Sequence, residues 1–142
     1  MNNPKLTAAD YPLAEKRPEL ITGARGKRLD EITLDAVLAD AVTLEDLRIT
    51  AHALLQQGEI SAAAGRPTLQ ENFARAADLV AVPQDTIMRV YELLRPGRAK
   101  GKDDLLAAAR ELRETYKAER MAAFVEEAAE VYDARGLFKR RF

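Results

Sequence analysis

Residues 68–96, TLQENFARAADLVAVPQDTIMRVYELLRP, constrain this chain more than any other stretch. Leu69, Phe73, Ala76 and Val80 recur at steps of four, three and four, which lays one apolar stripe along a helix. Thr68 and Glu71 stand at capping-box spacing, where hydroxyl and carboxylate satisfy the free N–H groups of a helix start. Pro83 suits a first helical position, because the N–H it lacks has no intrahelical partner there. Asp85 then places a carboxylate near the positive end of a second helix dipole. Ile87, Val90, Tyr91 and Leu94 form the second stripe, and Arg95-Pro96-Gly97 stops it. Two short amphipathic helices joined at Val82-Pro83 are compatible with two uses. One is a helix-turn-helix that meets DNA; the other is a packed hairpin that meets protein.

Composition narrows the field. One domain is the default for 142 residues, and a net charge of −1 brings no general attraction to nucleic acid or anionic membrane. The absence of cysteine removes disulfides, thiolate metal sites and cysteine nucleophiles. No apolar run approaches the roughly 20 residues of a membrane span, and the N-terminus shows no apolar signal core. The expectation is a soluble intracellular protein that binds neither membrane nor nucleic acid.

The pattern elsewhere is helical, and no strand-like alternation is seen. Residues 1–30 carry prolines at 4, 12 and 18 and glycines at 23 and 26 without helical periodicity. They read as an extended N-terminal arm ahead of a helical domain over residues 31–142. Tyr11, Leu13, Leu20 and Ile21 are scattered along that arm, where they bury little against each other and gain most from a partner's surface. Thr33 caps a short helix with Leu34, Val37, Leu38 and Ala41 on one face, and Thr43 with Asp46 caps a single turn. A helix over residues 51–64 follows, with Ala51, Leu54, Leu55 and Ala62 inward. Gly58 weakens it, and Gly65 supplies a left-handed cap. Residues 97–102, GRAKGK, read as a basic flexible link. The longest element spans residues 103–135, about 50 Å at 1.5 Å per residue. Its stripe runs through Leu105, Ala109, Leu112, Tyr116, Phe124, Ala128 and Val131, with Arg120 as the interruption. The fold class expected is all-α: a small helical domain with an extended arm, several short helices and one long C-terminal helix.

No chemistry-bearing constellation emerges. His52 is the sole histidine and has no HExxH or similar companion. Glu126, Glu127 and Glu130 lack the Glu-x-x-His motif of a carboxylate-bridged metal site, and the acidic residues read as solvated helix faces. There is no glycine-rich phosphate loop and no base beside a serine or threonine. No catalytic, cofactor-binding or metal residue is assigned, and the chain alone is expected to be inactive. The DNA reading, over residues 69–95, meets three obstacles. Ala81 stands where a repressor turn usually places Gly. The recognition face would be Gln84, Asp85, Met88 and Arg89, with Asp85 of the wrong sign for phosphate. The basic residues Arg95, Arg98, Lys100 and Lys102 lie in the link.

A family pattern runs through the chain in order. Its segments are Asp10-Tyr11-Pro12-Leu13-Ala14, Pro18-Glu19, Gly26-Lys27-x-Leu29-Asp30-x-Ile32-Thr33-Leu34 and Asp46-x-Arg48-Ile49-Thr50. It continues with Asn72-Phe73-x-Arg75-Ala76-Ala77-Asp78-Leu79, Ala81-Val82-Pro83, Tyr91-Glu92-x-Leu94-Arg95-Pro96 and Ala123-Phe124-Val125-x-Glu127-Ala128-Ala129-x-Val131-Tyr132. Over residues 10 to about 135 the chain resembles the small (gamma) subunit of adenosylcobalamin-dependent diol and glycerol dehydratases. The Val-Pro joint is part of that pattern, which accounts for it without DNA.

The resemblance implies a non-catalytic subunit in a complex with two copies each of large (alpha), medium (beta) and small chains. In that family adenosylcobalamin is held by the other subunits, and an adenosyl radical drives dehydration of a 1,2-diol or glycerol to an aldehyde. Candidate partner contacts on this chain are Tyr11, Leu13, Leu20, Ile21, Phe73, Tyr91 and Phe124. For the last three, core packing is the competing role. The arm and an overreaching last helix are expected to clamp the large subunit. Some members carry a helical N-terminal extension linked to bacterial microcompartments. The chain begins close to the Asp10–Ala14 segment, so the expectation leans to free cytoplasm, with encapsulation left to partner subunits. The preference for glycerol or propane-1,2-diol is not legible in this subunit.

Overall fold

The computed structural model describes residues 5–138. It is all-α, and among those residues extended pairing is confined to one bridge between Thr22 and Arg28. The chain divides into two compact units that part at the 77/78 junction. The elements are α1 (Leu13–Lys16), α2 (Leu34–Leu38), α3 (Leu44–Leu47), α4 (Ala51–Ala63), α5 (Pro67–Leu79), α6 (Gln84–Leu94), α7 (Lys102–Glu114) and α8 (Glu119–Ala134). Single 3₁₀ turns at Ala8–Asp10, Pro18–Leu20 and Leu29–Glu31 punctuate the first thirty residues.

In the first unit the arm folds back on its own chain. Leu6 and Leu13 are buried with Ile60 of α4, and Leu20 and Ile21 pack on that cluster. The Leu6 N–H donates to Glu59 Oε2 at 3.1 Å. Of the scattered apolar groups, Leu13 is therefore buried and Leu20 and Ile21 partly buried against a helix some forty to fifty residues downstream, whereas Tyr11 stays exposed. Asp10 tightens the first turn by accepting from the Thr7 N–H at 2.8 Å and from Arg17 at 3.1 Å. The buried residues of α4 are Gln56, Gly58 and Ile60, whereas Leu55 is exposed. Gly58 has a packing reason. A Cβ there would sit 3.4 Å from Phe73 Cβ, so the glycine sets how closely α5 passes. Gly65 takes the left-handed conformation as expected, with φ 78°. Arg66 N–H reaches back to the Ser61 carbonyl at 2.9 Å and Gly65 N–H to Ala62 at 2.9 Å, the two bonds of a Schellman cap.

Two local expectations are corrected here. Pro67, not a residue capped by Thr68, opens α5, so Thr68 lies within the first turn. A proline needs no N–H partner there, and the helix gains a residue. The residues of α5 that bury are Ala74 and Ala77, while Leu69 and Val80 of the expected stripe are exposed.

The second unit holds the larger core, built on Leu105, Ala108, Ala109, Leu112, Ala122, Val125 and Ala129, with Val82, Val90, Ala99 and Ala118 around them. The expected single helix over residues 103–135 is two. Lys117 turns left-handed at φ 58°, and the Ala118 N–H folds back to the Leu112 carbonyl at 3.0 Å. α8 then returns along α7. Alanines at the seam let the two backbones approach, which a stripe of leucines alone would prevent. The orphan N–H groups at the start of α8 are met by Asp78, which accepts from Arg120 at 2.7 Å and Met121 at 3.3 Å. Ala118 at the N-cap has no side chain to do this, so the cap comes from a residue about forty positions earlier. Arg120, the interruption in the expected stripe, is the second residue of the new helix.

The link at residues 97–102 is anchored. Ala99 is 4% exposed within the main core, Gly97 N–H donates to the Leu137 carbonyl at 3.1 Å, and Lys102 pairs with Glu130 at 2.6 Å. Tyr132 adds a hydroxyl bond to the Leu94 carbonyl at 2.5 Å and an edge-on contact with Phe138.

Candidate partner interface

Four of the seven expected contact residues come together. Tyr11, Leu13, Leu20 and Ile21 line one cavity of about 300 Å³, walled opposite by Thr50, His52, Ala53 and Gln56. Their availability differs. Tyr11 is 61% exposed, whereas Leu13 is 5% exposed and committed to Leu6 and Ile60. Beneath the cavity wall, the Gln56 Nε2 is buried without a hydrogen-bond partner among the described residues. An unpaired donor of this kind costs about 1–3 kcal/mol. Of the other three, Phe73 is half-buried beside Gly58, and Tyr91 and Phe124 are exposed on α6 and α8.

A run of exposed apolar side chains lies where the sequence placed no contact. Leu34, Leu38, Leu44, Leu47 and Ile49 are each more than half exposed, and Leu29 and Val37 are exposed beside them. α2 contributes no buried residue at all. A shared apolar face on a short helix does not by itself say whether that face is core or surface. The signal that separates the two is length, since helices of one turn hold only if something packs on them.

A rigid support holds this segment. Arg25 donates through Nε to Asp46 Oδ1 at 2.9 Å and through Nη2 to Asp46 Oδ2 and to the Ala41 carbonyl, the latter at 3.1 Å. The Asp46 carboxylate also accepts from the Thr43 N–H at 2.9 Å, which closes the expected turn of α3. Asp46 is 2% exposed, an exception to the solvated faces expected for the acidic residues. The Arg25 guanidinium, more than Thr43, holds its pKa down to about 2. Gly23 lies against the same residue, where a Cβ would stand 2.5 Å from the Asp46 carbonyl oxygen.

Among the described residues no group of three His, Cys, Asp or Glu side chains is arranged to hold a metal. His52 is exposed on α4, Glu126 is engaged by Arg113 through a two-point contact, and Glu130 by Lys102. The single arginine of the proposed DNA-recognition face is likewise occupied, since Arg89 pairs with Glu111 at 2.6 Å.

The class defined is a small all-α protein whose shortest helices leave their apolar side chains exposed. Comparison with known proteins gives this class a family. The family model described as the dehydratase small subunit matches residues 6–139. The propanediol dehydratase small subunit of Citrobacter freundii is 49% identical over 130 residues, covering 92% of this chain and 75% of that protein. The same subunit from Salmonella typhimurium is 48% identical over 131 residues, with the same shares. The chain belongs to the dehydratase small-subunit family. The Val82-Pro83 joint falls within the matched region, and the comparisons offer nothing for the DNA alternative.

Proposed function

We propose that this chain is the non-catalytic small subunit of an adenosylcobalamin-dependent 1,2-diol dehydratase, serving to assemble and stabilise the larger chains. The observation that carries the reading is near 50% identity across 92% of the chain to propanediol dehydratase small subunits. The relatives' names favour propane-1,2-diol over glycerol as substrate of the complex. The partners are large (alpha) and medium (beta) subunits, two copies of each chain, with the cofactor bound by those partners. When bound there, the cofactor supplies the radical that starts dehydration; this chain contributes surface. Tyr11 and the cavity beside it, together with Tyr91 and Phe124, are contact candidates, since large aromatics commonly anchor interfaces. Location in the cytoplasm, free or enclosed in a microcompartment through partner subunits, fits this role. Among the described residues no helix is long and apolar enough to cross a membrane.

The test is a pull-down from the native source with this chain as bait, followed by sizing, mass spectrometry and a visible absorption spectrum. Equimolar recovery of two larger chains with a corrinoid spectrum is expected. Recovery of the chain alone, as a dimer that shifts DNA in a salt-dependent way, would overturn the reading and move attention to Gln84, Met88 and Arg89.

A further inference from the structure

We infer that residues 29–49 form a second docking surface, whose occupant is an apolar cleft rimmed by Lys or Arg on one of the larger subunits. The inference rests on the small-subunit reading. Three observations carry it.

The first is energetic. α2 is five residues long and α3 four, and α2 buries nothing. Isolated helices this short do not persist in water on their own propensity. Leu34, Leu38 and Leu44 are 73%, 75% and 78% exposed, so cover from outside is what makes the segment's composition sensible.

The second is density along the chain. Seven large apolar side chains within twenty-one residues are exposed. Such a run exceeds the single, scattered apolar exposures normal for a free surface.

The third observation is charge, which selects the occupant. Asp46 is neutralised by Arg25, Asp30 pairs with Arg28, and Glu45 with Arg48. Glu31, Asp35 and Asp40, interleaved with Leu34 and Leu38, have no ion-pair partner among the described residues. Two copies meeting through this face would bring those carboxylates together, a repulsion that disfavours an isologous dimer. A cationic rim around an apolar cleft satisfies both features. Arg25 and Gly23 brace residues 41–46, so α3 needs little ordering on docking, and α2 gains most from cover.

The test is co-expression of the full chain with its two larger subunits, with assembly read by sizing and affinity by titration of the purified chain. Leu34→Glu/Leu38→Glu should weaken assembly at least 100-fold, with the far-UV circular dichroism of the isolated chain unchanged. Leu44→Glu serves as the independent variant on α3. Asp35→Asn/Asp40→Asn should slow association several-fold and flatten its dependence on salt. Assembly of the two leucine variants at wild-type affinity would overturn the inference. So would an isolated wild-type dimer that Leu34→Glu/Leu38→Glu dissociates while the complex still forms, since a second copy would then be the occupant. Failure of the wild-type chain to retain any larger subunit would instead sink the dehydratase-subunit reading, and the docking surface with it.

Discussion

The hairpin of α7 and α8 and the pair of short helices α2 and α3 are built from similar residues and do opposite things with them. In the hairpin, Leu105, Ala109, Val125 and Ala129 are wholly buried. In α2 and α3, leucines at the same helical spacing face outward. A stripe of apolar side chains does not by itself say what it packs on. A helix of thirteen or sixteen residues that meets a neighbour along its length makes a core. A helix of one turn presents its leucines to whatever comes next.

That contrast can be broken or sharpened by substitution. The largest effect is expected at Leu112, 1% exposed in the hairpin core. Leu112→Ala should lower the unfolding free energy by about 2–5 kcal/mol, read from the urea midpoint of the purified chain. A loss below 1 kcal/mol would mean the hairpin is not the stable part. Gly23→Ala comes next. Its Cβ has only 2.5 Å to a backbone oxygen that cannot swing aside, so about 1–3 kcal/mol is expected, as for other overpacked sites. Thermal melts followed by circular dichroism would show it.

Asp78→Ala removes the cap of α8 and should cost about 0.5–2 kcal/mol. Hydrogen exchange at Arg120 and Met121 should accelerate more than exchange in α7; uniform acceleration would assign Asp78 a different role. The brace under the short helices has a pH signature. The Arg25 guanidinium holds the Asp46 carboxyl down to about 2 in the folded chain, below its ordinary value of 3.8. Its stabilising contribution is therefore complete above about pH 4 and fades as pH falls toward 2. Amide chemical shifts of residues 41–46 should move in that window, and Asp46→Asn should abolish the movement. The smallest effect is predicted for Leu38→Ala on the isolated chain, within about 0.5 kcal/mol. A large loss there would show that α2 has a core partner within the chain.

Much of the helix inventory was legible before any coordinates, because capping residues and apolar periodicity are local. Thr33, Thr43 and Thr50 each stand at the start of a helix, and Gly65 ends one. Tyr11, Leu13, Leu20 and Ile21 could be singled out because large apolar groups in a proline-punctuated stretch must find cover somewhere. Their meeting around one cavity could not be foreseen, nor could the outward face of α2 and α3.

By itself, then, the sequence determined an all-α chain, its short helices with their caps, and a residue pattern specific enough to name a family. Each of these depends on residues within a turn or two of one another, or on their order. Only the tertiary structure decided that residues 103–135 break at Lys117 and fold back, with Asp78 capping the second half. It likewise decided that the arm closes on Ile60, that Gly97 to Lys102 is pinned by Ala99, and that Arg25 braces Asp46. Those outcomes depend on groups separated by roughly twenty to fifty residues. Helical periodicity repeats every 3.6 residues and carries no information about which distant neighbour will arrive.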